Sequence, residues 1–207
     1  MTFGKSLFIS KACLLWYISR IFYIWNKDDK EGWIMNFLEL AKRRQSCRKF
    51  DKSRAASRDD IEYCLEAARL SPSACNAQPY KFTVCSGQMK EKVGQLFLMN
   101  SFARDASHFV VISEDSYNFS ASMGSRIKDI DYRSIDIGIA AAHMTLAAAE
   151  RGLDSCILGW FDEKKLQELL GIKGRIRLII AIGYAAPDYP VREKKRKPMG
   201  ELVQLKE

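Results

Sequence analysis

The 207-residue chain has two histidines, five prolines and no pair of cysteines at C-x-x-C spacing among its six. A zinc site needs clustered Cys and His, and a disulfide framework needs a short, cysteine-dense chain; neither is present, and reduced cysteines fit better. There is no G-x-G-x-x-G after a strand and no P-loop, which removes the usual dinucleotide fingerprint and ATP chemistry. No G-x-S-x-G or H-E-x-x-H occurs, and two isolated histidines, His108 and His143, make a poor hydrolytic site. Long uncharged runs are also missing. Leu7 to Trp25 is rich in Leu, Ile, Trp, Tyr and Phe, but Lys11 and Arg20 interrupt it, leaving less than the roughly 20 apolar residues of a spanning helix. No small-residue cleavage site follows, so a secretory signal is disfavoured and a cytoplasmic setting is expected.

The length is that of one domain with a sizeable core. Hydrophobic residues make up 47% and charged residues 28%, the composition of a folded protein. Lys and Arg (33) outnumber Asp and Glu (25), giving a net charge of +8. Such an excess suits anionic ligands, including phosphorylated cofactors, and also draws nucleic acid or membrane non-specifically.

Two regions separate on pattern. Residues 1–34 read as an apolar N-terminal extension; contact of residues 7–25 with a membrane surface is the alternative to simple packing on the protein. Residues 35–207 carry the regular elements. Asn36 and Glu39 have capping-box spacing before a short helix whose apolar side is Phe37, Leu38 and Ala41. Ser57 and Asp60 repeat the device before Ile61, Cys64, Leu65, Ala68 and Leu70, the expected buried face of a helix ending near Ser71-Pro72. A strand is predicted over 80–85, a helix over 89–98 and a strand over 108–113, followed by a loop through Asp131 containing Tyr117, Phe119 and Met123. Ser134 to Arg151 is the strongest helix, with Ile135, Ile139, Ala142, Leu146 and Ala149 as its core face and Gly152 as its stop. A short strand over 156–160, a helix from Asp162 to Leu170 and an interior strand over 175–183 complete an α+β pattern. Cys64 and Cys75 read as small buried hydrophobes.

Three polar constellations carry chemistry. Arg44, Ser46 and Arg48 gather two guanidinium groups and a hydroxyl, donors enough for a phosphate; a solvated basic helix end is the bland alternative. SPSACNAQPY, 71–80, sets Ser73, Asn76 and Gln78 between two prolines, a rigid polar loop able to read the edge of a planar heterocycle or simply to turn the chain. Lys194, Lys195, Arg196 and Lys197 form a basic run after the last strand, without the aromatic platforms or helix-turn-helix signature of specific nucleic-acid binding.

In this order the pieces resemble the nitroreductase family, from about Met35 to Val203. The resemblance rests on RRQSCRKF (43–50), SPSACNAQPYKF (71–82), IDIGIAAAHMTLAAAERGLDSCILG (135–159), and IAIGYAAPDYP with KKRKP (180–190 and 194–198). Departures are His143, where relatives often carry Asn, and Ala185-Ala186, where Gly-Tyr-Pro is common. The resemblance implies a mixed sheet flanked by helices and an intertwined homodimer with FMN at its interface. It implies that Arg44, Ser46, Arg48, Lys194 and Arg196 hold FMN, that Pro72, Ser73, Ala74 and Asn76 line the isoalloxazine, and that Leu158 and Gly159 offer main-chain contacts. NADPH or NADH would be the donor, and a nitroaromatic, quinone or other small molecule the acceptor. Hydride transfer to flavin needs no protein acid or base, so no catalytic side chain and no metal are expected. Dehalogenase or dehydrogenase chemistry on the same core is the enzymatic alternative, and a basic nucleic-acid or membrane-surface binding protein the non-enzymatic one.

Overall fold

A computed structural model describes residues 36–116 and 129–206. The N-terminal extension and Tyr117, Phe119 and Met123 lie outside the described residues. The elements are α1 (Phe37–Arg43), α2 (Arg58–Arg69), β1 (Tyr80–Cys85), α3 (Gly87–Gln95), β2 (His108–Glu114), α4 (Tyr132–Glu150), β3 (Asp154–Leu158), α5 (Glu163–Leu170), β4 (Ile176–Gly183) and α6 (Met199–Leu202). Short 3₁₀ turns occupy Ala74–Asn76 and Ser101–Asp105. Among the described residues no helix is long and apolar enough to cross a membrane.

The sheet has the order β1-β2-β4-β3, with antiparallel pairing throughout. A single parallel bridge, Ser46 with Ser155, attaches the segment after α1 to the start of β3. Because β2 and β4 are central and covered on both faces, their side chains divide between two cores. Phe109 and Val111 of β2 join Ile179 and Ala181 of β4 on one face, packed with Val93 and Phe97 from the α3 region and Leu166 of α5. Val110, Ile112, Ile180 and Ile182 point the other way, against Ile61, Cys64 and Ala68 of α2 and Ile137, Ala140 and Met144 of α4. Two-sided burial explains why these strands read as continuous apolar runs. Phe97 and Phe109 meet edge to face with centroids 5.0 Å apart, the geometry that the ring quadrupoles favour. The architecture is α+β.

Helix ends follow local chemistry. Ser57 and Asp60 form the reciprocal capping box at α2, which satisfies two otherwise orphaned amides. Asn36 caps α1 by accepting from the Glu39 amide at 3.1 Å. At the end of α4, Gly152 takes φ +76°, and the amides of Gly152 and Leu153 return to the carbonyls of Ala149 and Ala148. That is a Schellman closure requiring a left-handed residue, which glycine adopts without Cβ strain.

Several expectations change in detail: β3 runs over Asp154–Leu158 and not 156–160, and α3 over Gly87–Gln95 and not 89–98. Helix α4 begins at Tyr132, capped by Asp131, two residues earlier than its sequence pattern indicates. Its buried face is Asp136, Ile137, Ala140, Ala141, Met144, Thr145 and Ala147–Ala149, whereas Ile135 is 50% exposed and Ala142 is exposed. Of the stripe that periodicity picked, Ala149 is buried, Ile139 and Leu146 are half-buried, and only Ile135 and Ala142 face outward, because an alanine-rich helix offers two nearly equivalent apolar stripes. Leu70 is also exposed because α2 ends at Arg69 and the cap turns away from the core. Cys64 is fully buried, but Cys75 is exposed in the turn between Ser73 and Gln78. Apolar neighbours in sequence did not become neighbours in the core there.

Candidate functional site

The segment after β4 doubles back along residues 44–51 and builds the site by main-chain pairing. The Asp51 amide donates to the Tyr184 carbonyl at 2.8 Å and the Ala186 amide to the Lys49 carbonyl at 2.9 Å. Phe50 and Ala185 form an antiparallel bridge. Farther along, the Gln45 amide group acts as a clamp, donating from Nε2 to the Pro190 carbonyl (3.2 Å) and accepting from the Arg192 amide (3.1 Å) at Oε1. The Arg192 guanidinium donates to the Ser46 carbonyl at 2.7 Å. The Tyr189 hydroxyl lies 3.2 Å from the Arg48 amide, which donates to it. Lys194 Nζ donates to the Arg44 carbonyl.

The product is an open cavity of about 520 Å³ lined by Arg44, Ser46, Arg48, Arg192, Lys194, Lys195 and Arg196, with Glu193 as its acidic residue. Partial burial and the neighbouring charges of Arg44, Arg196 and Arg192 hold the Lys194 ammonium below its ordinary range. A cation crowded by cations is an electrostatically unsatisfied arrangement, and a bound anion relieves it. The thiols behind the cavity do not supply that anion. Burial pushes Cys47 up to about 11, and burial also raises Cys156 against the opposing pull of Arg48, Arg192 and Arg44.

A second cavity of about 640 Å³ adjoins the first and shares Arg44, Lys194 and Arg196 with it. Its remaining wall is largely apolar: Leu38 and Ala41 of α1, Gly138, Ala142 and Leu146 of α4, and Ile157 of β3. The cations therefore stand at the junction of an anion pocket and an apolar floor. Both volumes are of the size that encloses cofactors and small ligands.

The structure thus brings together Arg44, Ser46, Arg48, Lys194 and Arg196. It does not bring Pro72, Ser73, Ala74 or Asn76 to either cavity wall within one chain. Those residues form a separate turn, where Cys75, Asn76 and Gln78 all have positive φ (52°, 49° and 47°). The turn is held by the Gln78 amide donating to Ser73 Oγ (3.1 Å) and by the Ala74 amide donating to Asp136 Oδ1 (3.1 Å). Leu158 turns its side chain into the core and Gly159 is exposed beyond the strand end; neither lines the two cavities. His143 is exposed on α4, its ring 2.9 Å from the Ile139 carbonyl.

Sequence reasoning missed Gln45, Tyr189 and Arg192. An amide between two arginines has no signature of its own, and Tyr189 and Arg192 acquire their roles only when the C-terminal segment folds back. The readable signal was the basic run beginning at Lys194, which extends to Arg192 across one acidic residue.

The chain is similar to known proteins over most of its length. The oxygen-insensitive NADPH nitroreductase of Helicobacter acinonychis is 28% identical over 211 residues, an alignment covering 82% of this chain and 99% of that protein. A nitroreductase family protein from Streptococcus pneumoniae has the same fold, with TM-score 0.70 at 24% identity, covering 82% of this chain and all of that one. A protein from Exiguobacterium sibiricum solved in complex with FMN superposes with TM-score 0.66 at 23% identity, covering 83% of this chain and 97% of its own. The family model described as the nitroreductase family matches residues 41–184, a span that contains R-x-S-x-R, the proline-bounded loop, α4 and β4. The chain belongs to the nitroreductase family.

Proposed function

We propose that the protein is an FMN-dependent, NAD(P)H-consuming oxidoreductase that works as a homodimer and reduces a nitroaromatic, quinone or other small electron acceptor. The observation that carries this reading is the junction of a cationic cavity with an apolar one at Arg44, Lys194 and Arg196. FMN is an amphiphile of that form, with a dianionic phosphate at one end and a planar ring at the other. Arg44, Arg48, Lys194 and Arg196 would divide between the phosphate, the ribityl chain and the pyrimidine side of the ring, through charge-assisted hydrogen bonds. Ser46 adds a neutral donor. Gly138, Ala142 and Ile157 supply an apolar floor for the ring.

Bound FMN supplies the two-electron chemistry, taking hydride from a nicotinamide donor and passing reducing equivalents to the acceptor. The protein residues position both partners and keep a cationic field beside the ring system, which favours the more negative reduced form. The relative from Helicobacter acinonychis is named for NADPH, and the structural neighbour from Exiguobacterium sibiricum carries FMN; both names support the cofactor reading.

A homodimer is supported by the apolar side chains left outside the core. Phe37 and Leu38 of α1 are each 67% exposed, and Ile135, Met199, Leu202 and Leu205 are exposed with them. Brought together on one face, these groups would be buried against a second copy. The ring-lining loop, absent from both cavity walls of its own chain, would reach the cofactor of a second copy across that face.

Visible spectroscopy tests the reading. Purified protein incubated with FMN and gel-filtered is expected to retain a flavin spectrum that bleaches anaerobically on adding NADPH or NADH. Folded protein that retains no flavin would remove the proposal, and retained flavin that neither nucleotide bleaches would remove the nicotinamide donor.

A further inference from the structure

Asp136 is the least comfortable polar group in the described core. It is 2% exposed and sits on α4 among Ile137, Ala140 and Ala141. One carboxyl oxygen, Oδ1, accepts from the Ala74 amide at 3.1 Å. The other, Oδ2, is buried with no hydrogen-bond partner among the described residues. Half-satisfied carboxyl groups are expensive to bury, and an apolar residue at this helix position would pack without that cost. The group is retained where its one bond reaches the turn of the 73–78 loop.

That turn needs holding. Cys75, Asn76 and Gln78 lie in the left-handed region, which non-glycine residues occupy only when their surroundings over-determine it. Much of the turn's bonding is local: Asn76 amide to Ser73 carbonyl, Ala77 amide to Ala74 carbonyl, Gln78 amide to Ser73 Oγ, and Gln78 Nε2 to Asn76 Oδ1. Local bonds shape a turn but do not fix where it stands. The Asp136 bond spans 62 residues and ties the first residue of the turn to α4, the same helix whose Gly138 and Ala142 line the apolar cavity.

We propose that Asp136 is a positioning residue for the flavin, locking the strained 73–78 turn onto α4 so that Ser73 and Asn76 meet the ring at a fixed place. The inference rests on the cofactor reading above and assigns the loop's geometry to one buried acceptor. Burial raises the Asp136 carboxyl above its ordinary range, against the opposing pull of the Ala74 amide, so its neutral form is favoured relative to a solvated aspartate. A neutral acceptor suffices for the bond, and asparagine in its place retains an acceptor oxygen of the same reach.

The test compares wild type with Asp136→Asn, Asp136→Ala and Asp136→Leu, the last keeping the buried volume filled should the alanine variant not fold. Amide hydrogen exchange of residues 73–78 is measured without cofactor, and FMN affinity and visible band positions are measured by titration. A turn in its binding shape about a tenth of the time binds about tenfold more weakly. Asp136→Ala and Asp136→Leu are therefore expected to speed exchange across the turn, weaken FMN about tenfold or more and shift the bands, with Asp136→Asn within about threefold of wild type. Wild-type exchange in the alanine or leucine variant would overturn the proposal. So would an asparagine variant as impaired as these, because charge and not the hydrogen bond would then be responsible. If the loop responds while FMN affinity and bands stay unchanged, Asp136 is an anchor of an ordinary turn and the proposal fails. Wild-type protein that binds no FMN at all fails the cofactor reading separately, whatever the exchange data show.

Discussion

Lys194 Nζ donates to the carbonyl of Arg44, joining two cationic residues from opposite ends of the domain. The bond uses the backbone of Arg44 and not its guanidinium, and both residues line the same cavity. A main-chain acceptor is what permits two like charges to stand together, since it offsets part of the repulsion locally while the remainder is reserved for an anion. Replacing Arg44 or Lys194 by alanine should therefore weaken FMN binding by about 10- to 100-fold, the equivalent of one charge-assisted hydrogen bond of about 1.5–3 kcal/mol. Flavin fluorescence titration measures it. An affinity within twofold of wild type in either variant would remove that residue from the phosphate site.

The same relationship sets a pH dependence. Burial first, and then Arg44, Arg196 and Arg192, lower the Lys194 value from its ordinary 10.5, whereas a phosphate dianion beside it would raise the value again. Binding then carries proton uptake at alkaline pH, between the lowered and the raised values. FMN affinity is expected to be full below the lowered value and to fall as pH rises through that window. Lys194→Ala should flatten this part of the profile. An alkaline profile unchanged in the variant would assign the dependence to another group.

How much of this was legible depends on what each signal needed. The capping box at Ser57 and Asp60, the stop at Gly152 and the two interior strands are written in contiguous residues, and they appear where pattern placed them. Residues 44–48 were legible as a cluster with donors enough for a phosphate and 194–197 only as a basic run, the shared cofactor role being what the family resemblance implied; folding brings Arg44, Ser46, Arg48, Lys194 and Arg196 to one cavity. What sequence could not give was orientation. On α4 the stripe containing Ile135 and Ala142 and the stripe containing Ile137 and Met144 are both apolar, and which faces the sheet is settled by packing against α2 and β4. Cys75 failed for a related reason: the positive φ of the turn lifts it out of the core. Asp136 had no signature, because a carboxylate in an alanine-rich helix reads as one more polar interruption.

Gly174 supplies a stability prediction unrelated to the cofactor. A Cβ built there would stand 2.2 Å from the Glu114 carbonyl oxygen, where the end of β2 meets the start of β4 and the Glu114 amide donates to the Arg175 carbonyl at 2.8 Å. Backbone cannot yield as a flexible side-chain tip would. Gly174→Ala should cost about 1–3 kcal/mol through this overpacking, lowering the midpoint of thermal unfolding by several degrees. Retained wild-type stability would mean that the chain between α5 and β4 shifts at little cost.

The outward stripe of α4 gives a prediction that joins assembly to cofactor binding. Ile135 is 50% exposed and belongs to neither core cluster, so Ile135→Glu removes little monomer packing, and glutamate is a good helix residue. If that stripe meets a second copy, the substitution places a charge in an apolar interface, where it lacks a partner and carries a desolvation cost. The variant should then sediment as a monomer at concentrations where wild type is dimeric, while its far-UV spectrum stays the same. FMN affinity should fall together with assembly, because the cation cavity and the 73–78 turn would no longer be held around one ligand. A variant that remains dimeric and binds FMN as wild type does would place the interface elsewhere, whereas a monomer with undiminished FMN affinity would show that one chain's cationic and apolar cavities suffice.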